Sequence, residues 1–175
     1  MSNTKKYILT SVTLGAIAAS SALLIGLANL ITKDQIKKNE AAQTRAGLAQ
    51  IYGSNATYGD AVAINDKNYS HLICYYPASI DNDPVGNVFK ASGKNEYGDI
   101  TLLVGVSINN EAGQIYLITN TQSYASTLVN NYVGPYNNGR VELDDVSCGA
   151  THGAELVRDM VLEAVNWSIA QGGGN

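Results

Sequence analysis

The sequence predicts an α+β chain, with one N-terminal transmembrane helix followed by a small domain in which an antiparallel sheet is flanked by helices. Three observations predict it. No charged residue occurs from Tyr7 to Ile31, a run of about 25 positions that as a helix measures roughly 37 Å against a hydrocarbon core of about 30 Å. Ile100, Leu102, Val104, Val106 and Ile108 alternate along one strand face. After Thr151, apolar residues fall at Val157, Met160, Val161, Ala164 and Val165, the three-and-four spacing of a buried helical face.

The elements follow in order. A cleaved leader carries an apolar stretch of only about 7 to 15 residues. Ala18-Ala19-Ser20-Ser21-Ala22 imitates a cleavage site, but apolar sequence continues past it, so the span reads as a retained anchor. Gly15, Ala19, Ala22 and Gly26 share one stripe, either a packing face for another membrane helix or the ordinary abundance of small residues in such helices. Lys5 and Lys6 precede the span and Lys33, Lys37, Lys38 and Arg45 follow it, so charge counting alone does not orient it. Residues 1–32 are therefore assigned to the tail and anchor, 33–52 to a juxtamembrane stalk helix and 53–175 to the domain.

Gly53, Asn55 and Gly59 break the stalk. His71 to Tyr76 reads as a strand closed by Pro77, Asp81-Asn82-Asp83-Pro84 as a turn, and Val85 to Lys90 as the next strand. Ile100 to Ile108 turns through Asn109-Asn110-Glu111-Ala112-Gly113 into Gln114 to Thr119, a hairpin. A helix from Ser123 to about Tyr132, a Gly/Pro/Asn loop over Gly134 to Gly139 and the final helix complete the domain. Gly172-Gly173-Gly174 reads as a helix stop.

Composition bounds the chemistry. The part beyond the anchor and its flank, about 130 residues, suffices for one core but not two. From Ala46 onward five basic residues (Lys67, Lys90, Lys94, Arg140, Arg158) face thirteen acidic ones, a formal charge of −8. With no basic stripe to displace counterions, nucleic acid is not an expected partner. Cys74 and Cys148 have no metal or redox spacing and read as small half-buried residues, although an extracellular pair is open to them. His71 and His152 lack a second ligand at a fixed offset, so no metal site is expected.

The segment Asp145-Val146-Ser147-Cys148-Gly149-Ala150-Thr151 combines an acidic, small-residue loop with the start of the last helix. Thr151 reads as its N-cap, beside N–H groups that lack intrahelical partners and a dipole that favours phosphate. Gly149 and Ala150 leave the backbone uncovered for a bulky group. An ordinary helix cap explains the same facts.

This segment resembles the flavinylation motif of the FMN-binding domain family, in which Asp, two variable positions, Ser, Gly, Ala and Thr occur in that order. Asp145 takes the Asp position, Cys148 the Ser position, Gly149 and Ala150 the small ones, and Thr151 the acceptor. The resemblance implies FMN held covalently through a phosphoester to Thr151. Tyr97-Gly98-Asp99-Ile100, with Val104-Gly105-Val106 beyond it, is similar to the strand that leads toward the flavin. In the G subunit of the Rnf electron-transport complex, a Glu-Thr-Pro-Gly-Leu-Gly segment usually follows. Asn120-Thr121-Gln122-Ser123-Tyr124-Ala125 stands there instead, with Thr121 matching.

The resemblance implies an electron-transfer subunit of an Rnf-type ion-translocating ferredoxin:NAD oxidoreductase, with other membrane subunits and membrane lipid as partners. It also implies a flavin transferase that uses FAD and magnesium for maturation. The short N-terminal tail and the resemblance together place the tail inside and the domain on the outer face of the cell membrane. Such a protein holds the isoalloxazine and tunes its potential, so no catalytic residue is assigned. Thr121, Tyr124 and Leu156 are candidate flavin contacts, and Tyr124 and Leu156 read equally as core. A stand-alone extracellular flavinylated carrier and a cofactor-free surface binding domain stay open beside this reading.

Overall fold

The computed structural model describes the chain from residue 3 to residue 172, save the side chains of residues 3–6, 8–10, 28–31, 33, 34 and 37. Two compact units divide at Ala42 and Gln43, and the first helix, α1 (Asn3–Ile51), contains that boundary.

The first unit is helical up to the boundary, and it corrects the expected anchor. Among the described residues, no helix is long and apolar enough to cross a membrane. Over the described side chains of residues 11–27 the apolar residues are interleaved with small and hydroxyl-bearing ones. That stretch includes Ser11, Thr13, Ser20 and Ser21, and the Ser20 hydroxyl turns back to the Ala16 carbonyl at 2.8 Å. The charges at Lys5, Lys6, Lys33 and Lys37 lie outside the described residues, as do Gly173 and Gly174 of the expected helix stop.

The second unit is the expected α+β domain. Its strands are β1 (Ala56–Tyr58), β2 (Val62–Ala63), β3 (Leu72–Ile80), β4 (Asp83–Asn95), β5 (Gly98–Ser107) and β6 (Ala112–Asn120). They form one antiparallel sheet in the order β1-β3-β4-β5-β6, with β2 also on β3. Asp81 and Asn82, with φ of 54° and 70°, make the two-residue turn between Ile80 and Asp83; this left-handed pair matches strand twist, and Asp and Asn tolerate it. Pro77 does not close β3 as expected. The strand passes through it where pairing changes from β2 to β1, next to a register shift at Ala78 and Ser79, the kind of irregularity that admits proline.

After β6 come α2 (Ala125–Leu128), a π-turn (Val129–Val133), α3 (Gly134–Asn137) and α4 (Thr151–Gly172). The expected loop at Gly134 is thus helical: the backbone stays right-handed from α2 through the π-turn into α3, and the Gly134 N–H reaches back five residues to the Val129 carbonyl, a widened turn next to which Pro135, with no N–H of its own, is accommodated. Asn137 then mimics a strand neighbour on the sheet edge. Its amide donates to the Ile115 carbonyl and accepts from the Ile115 N–H, both at 2.8 Å.

One sheet face buries Phe89, Ala91, Leu102, Val104 and Val106 against Ala154, Val157, Met160, Val161 and Ala164 of α4. The α4 residues repeat at helical spacing and the β5 residues at spacing two, so both patterns come from a single interface. His71, just before β3, fixes the angle: its N–H and Nδ1 lie 3.0 and 2.6 Å from the two carboxylate oxygens of Glu163. The other sheet face packs Val88, Leu103 and Ile118 under Leu48, Ile51 and Tyr52. Gly47 permits that approach, since a methyl there would stand 2.7 Å from Leu103.

In this second cluster the Tyr58 hydroxyl donates to the Leu48 carbonyl, whereas the buried Tyr52 hydroxyl has no partner. Burial, and then the neighbouring Tyr58, push the Tyr52 phenol up to about 12. The fold thus favours neutral Tyr52. Stability from this group is present below the unfolded value of about 10 and is lost as pH rises from there toward 12. Tyr52→Phe is expected to melt at the same or a higher temperature at pH 7, because it removes an unpaired buried hydroxyl. It should also lose less stability between pH 10 and 12. A clear drop in melting temperature at pH 7 would contradict the packing described.

Candidate functional site

The last helix begins at the mouth of a cavity of about 240 Å³, lined by Tyr97, Gln122, Tyr124, Gly149, Ala150, Thr151, His152 and Gly153. Three segments build it: the β4–β5 turn, the loop from β6 to α2, and the loop that enters α4.

The β4–β5 turn carries Tyr97 to the cavity. Asn95 pairs with Gly98, and Asn95 Oδ1 accepts from the Tyr97 N–H at 2.9 Å. Gly98 has φ of +139°, and the Thr121 carbonyl occupies the space a side chain would need. The Tyr97 carbonyl accepts from the Ser123 N–H at 3.0 Å, which ties the turn to the second segment. Tyr97 then stacks on His152, with ring centroids 5.0 Å apart and planes within 9°. The Glu96 carboxylate beside it raises the Tyr97 phenol above its ordinary value. Gly98→Ala is expected to destabilise the domain by roughly 1–3 kcal/mol, through strain and the displaced Thr121 carbonyl. Urea titration measures the loss, and a variant as stable as the parent would show the turn to be built differently.

Thr121 acts as a clasp. Its hydroxyl accepts from the Asp99 N–H at 2.8 Å and its own N–H donates to the Asp99 carbonyl at 2.9 Å. It does not line the cavity. Tyr124 does, and is 59% exposed. Gln122, which sequence reading did not single out, is 7% exposed and donates from Nε2 to Asn95 Oδ1 and the Gly98 carbonyl at 3.0 and 2.6 Å.

The entering loop brings Gly149, Ala150 and Thr151 together at the cavity wall. Gly149 has φ of +84°, which suits glycine. The Cys148 carbonyl before it accepts from Asn131 Nδ2 at 3.0 Å. Ala150, not Thr151, holds the N-cap position, because its carbonyl accepts from the N–H groups of Gly153 and Ala154 at 3.0 Å each. Thr151 is the first helical residue, and among the described residues its hydroxyl has no hydrogen-bond partner. The Thr151 and His152 N–H groups of that first turn have no intrahelical acceptor and carry the positive end of the dipole.

Other expected site residues stand elsewhere. Asp145 is exposed on the loop and Cys148 is half-buried; both cysteines are free thiols. Leu156 is buried against Gly93 and lines the neighbouring cleft rather than this cavity. Tyr97, Gln122, His152 and Gly153 are wall residues that sequence reading did not propose as contacts. Tyr97 opens the segment whose resemblance pointed toward the flavin, which is the signal for it, although the structure puts it in the turn before β5; Gln122 carries none. Among the described residues, no three His, Cys, Asp or Glu side chains converge as a metal ion requires.

The residues present fit FMN. A free hydroxyl, an uncovered Gly-Ala backbone and an unpartnered helix start suit a phosphoester, and the adjoining cavity has aromatic walls. Comparison with known proteins bears on the other end of the chain. Residues 1–51 match the family model of the RnfG N-terminal region. This supports the resemblance to the G subunit of the Rnf complex. No curated protein matches the chain.

Proposed function

We propose that this chain is a flavoprotein subunit that carries FMN on Thr151 through a phosphoester and relays electrons in an Rnf-type ion-translocating ferredoxin:NAD oxidoreductase. The observation that carries this reading is the placement of Thr151. The acceptor of the motif stands on a cavity wall at the start of a helix 22 residues long. The RnfG-like N-terminal region supports the choice of complex.

In this reading Thr151 supplies the ester oxygen, and the first N–H groups of α4 face the phosphate oxygens. Gly149 and Ala150 admit the group without side-chain obstruction, and Tyr97, Tyr124 and His152 wall the cavity beside it. FMN, when bound, supplies the capacity to take and pass electrons singly or in pairs. A covalent bond keeps it in place where free FMN would diffuse away. A flavin transferase using FAD and magnesium matures the chain, and its other partners are membrane subunits of the complex on the outer face of the cell membrane.

The test is direct. Chain made in cells with the flavin transferase is expected to gain the mass of FMN less water and to fluoresce as a band on a denaturing gel; chain made without the transferase should do neither. An unmodified mass in the presence of an active transferase would overturn the proposal.

A further inference from the structure

At the cavity, backbone groups decide the orientation of two amide side chains. Asn95 Oδ1 accepts from the Tyr97 N–H, so its Nδ2 is the atom that reaches the His152 carbonyl, at 3.0 Å. This leaves Gln122 one arrangement. Its Nε2 stands 3.0 Å from Asn95 Oδ1 and 2.6 Å from the Gly98 carbonyl, both acceptors. Both amide protons are therefore used, and Oε1 is left over.

That oxygen lies on the side of Gly153, another cavity wall residue. A methyl built at Gly153 would be 3.5 Å from Gln122 Oε1 and 3.1 Å from Leu128; glycine leaves the oxygen uncovered. Among the described residues nothing donates to it. The side chain as a whole is 7% exposed, yet this oxygen is not among the buried unpaired atoms: it is open at the cavity wall, where a donor that enters the cavity meets it. The walls specify the rest. Tyr97 and His152 are parallel rings, and Tyr124 stands at the opening, surroundings that suit a planar ring with an N–H on its edge.

We infer that Gln122 Oε1 accepts a hydrogen bond from the N3–H of the flavin's pyrimidine edge, making Gln122 the residue that orients the ring within the cavity. The inference rests on the proposed attachment of FMN at Thr151 and assigns what that attachment alone does not, namely which edge of the ring is held. In this chain Gln122 follows Thr121, where the resembling segment of the Rnf G subunit has proline.

The test uses the full chain, flavinylated in cells grown on ¹⁵N so that the flavin nitrogens are labelled. Exchange of the N3 proton with solvent is then followed by ¹H–¹⁵N NMR. In the parent, exchange is expected to be slower than in free FMN by about tenfold or more, as one net hydrogen bond of ordinary strength gives. Gln122→Met should return it to the free rate while the intact mass still shows the flavin. Gly153→Ala, which covers Oε1 but leaves the amide network in place, should do the same, and serves if Gln122→Met does not fold. Free-like exchange in the parent, or protection that survives both substitutions, overturns the inference while the covalent reading stands. A parent chain without flavin mass overturns both.

Discussion

Thr151→Ala is expected to abolish covalent flavin completely, with no residual fluorescent band on a denaturing gel and an intact mass equal to that of the amino acids alone. The effect should be all-or-none, since alanine has no oxygen to esterify. The fold should hardly notice. Thr151 is half-buried, its hydroxyl has no partner among the described residues, and Ala150 rather than Thr151 holds the N-cap position. The change in stability is thus expected within about 0.5 kcal/mol, so loss of flavin will not be confused with loss of structure. Thr151→Ser retains the hydroxyl and should keep some attachment. If Thr151→Ala keeps a denaturation-resistant flavin, the acceptor is another residue.

How much of this was legible in the sequence depends on how far each interaction reaches along the chain. The β5 alternation identified Ile100, Leu102, Val104 and Val106 as one buried face, and α4 declared its own face by spacing. Leu103 broke the rule. It is fully buried on the opposite face because the end of α1 lies there, which the pattern of β5 itself does not contain. Ile108 continued the alternation in sequence but is 65% exposed, since β5 ends at Ser107. Asp145 to Thr151 were readable because a motif is local. Gln122 was not, because its meaning lies in bonds to Asn95 and Gly98, 27 and 24 residues away. The uncharged N-terminal run suggested a membrane span from composition, whereas no helix among the described residues has the apolar length for one.

The largest expected loss of stability is at Phe89, where β4 meets α4. Phe89 is fully buried, and its ring centroid lies 5.8 Å from that of Tyr75 and 5.5 Å from that of Trp167, edge-on to the indole. Tyr75 and Trp167 also meet each other at 4.9 Å, so the three rings form one closed cluster tying two strands to the helix. Phe89→Ala removes the shared member, and the neighbours cannot collapse inward without giving up their own contacts. The expected cost is about 3–5 kcal/mol, a large share of the roughly 5–15 kcal/mol that holds a domain of this size together. Trp167 is the sole tryptophan, so its emission reports on this cluster directly during urea unfolding. The midpoint should fall steeply with the slope unchanged, and native emission should shift as the indole loses a wall. Phe89→Leu, which refills much of the volume, should recover a good part of the loss. A cost below about 1 kcal/mol for the alanine variant would mean that the cluster is not packed as described. The seating of α4 on the sheet, and with it the position of Thr151, would then need another explanation.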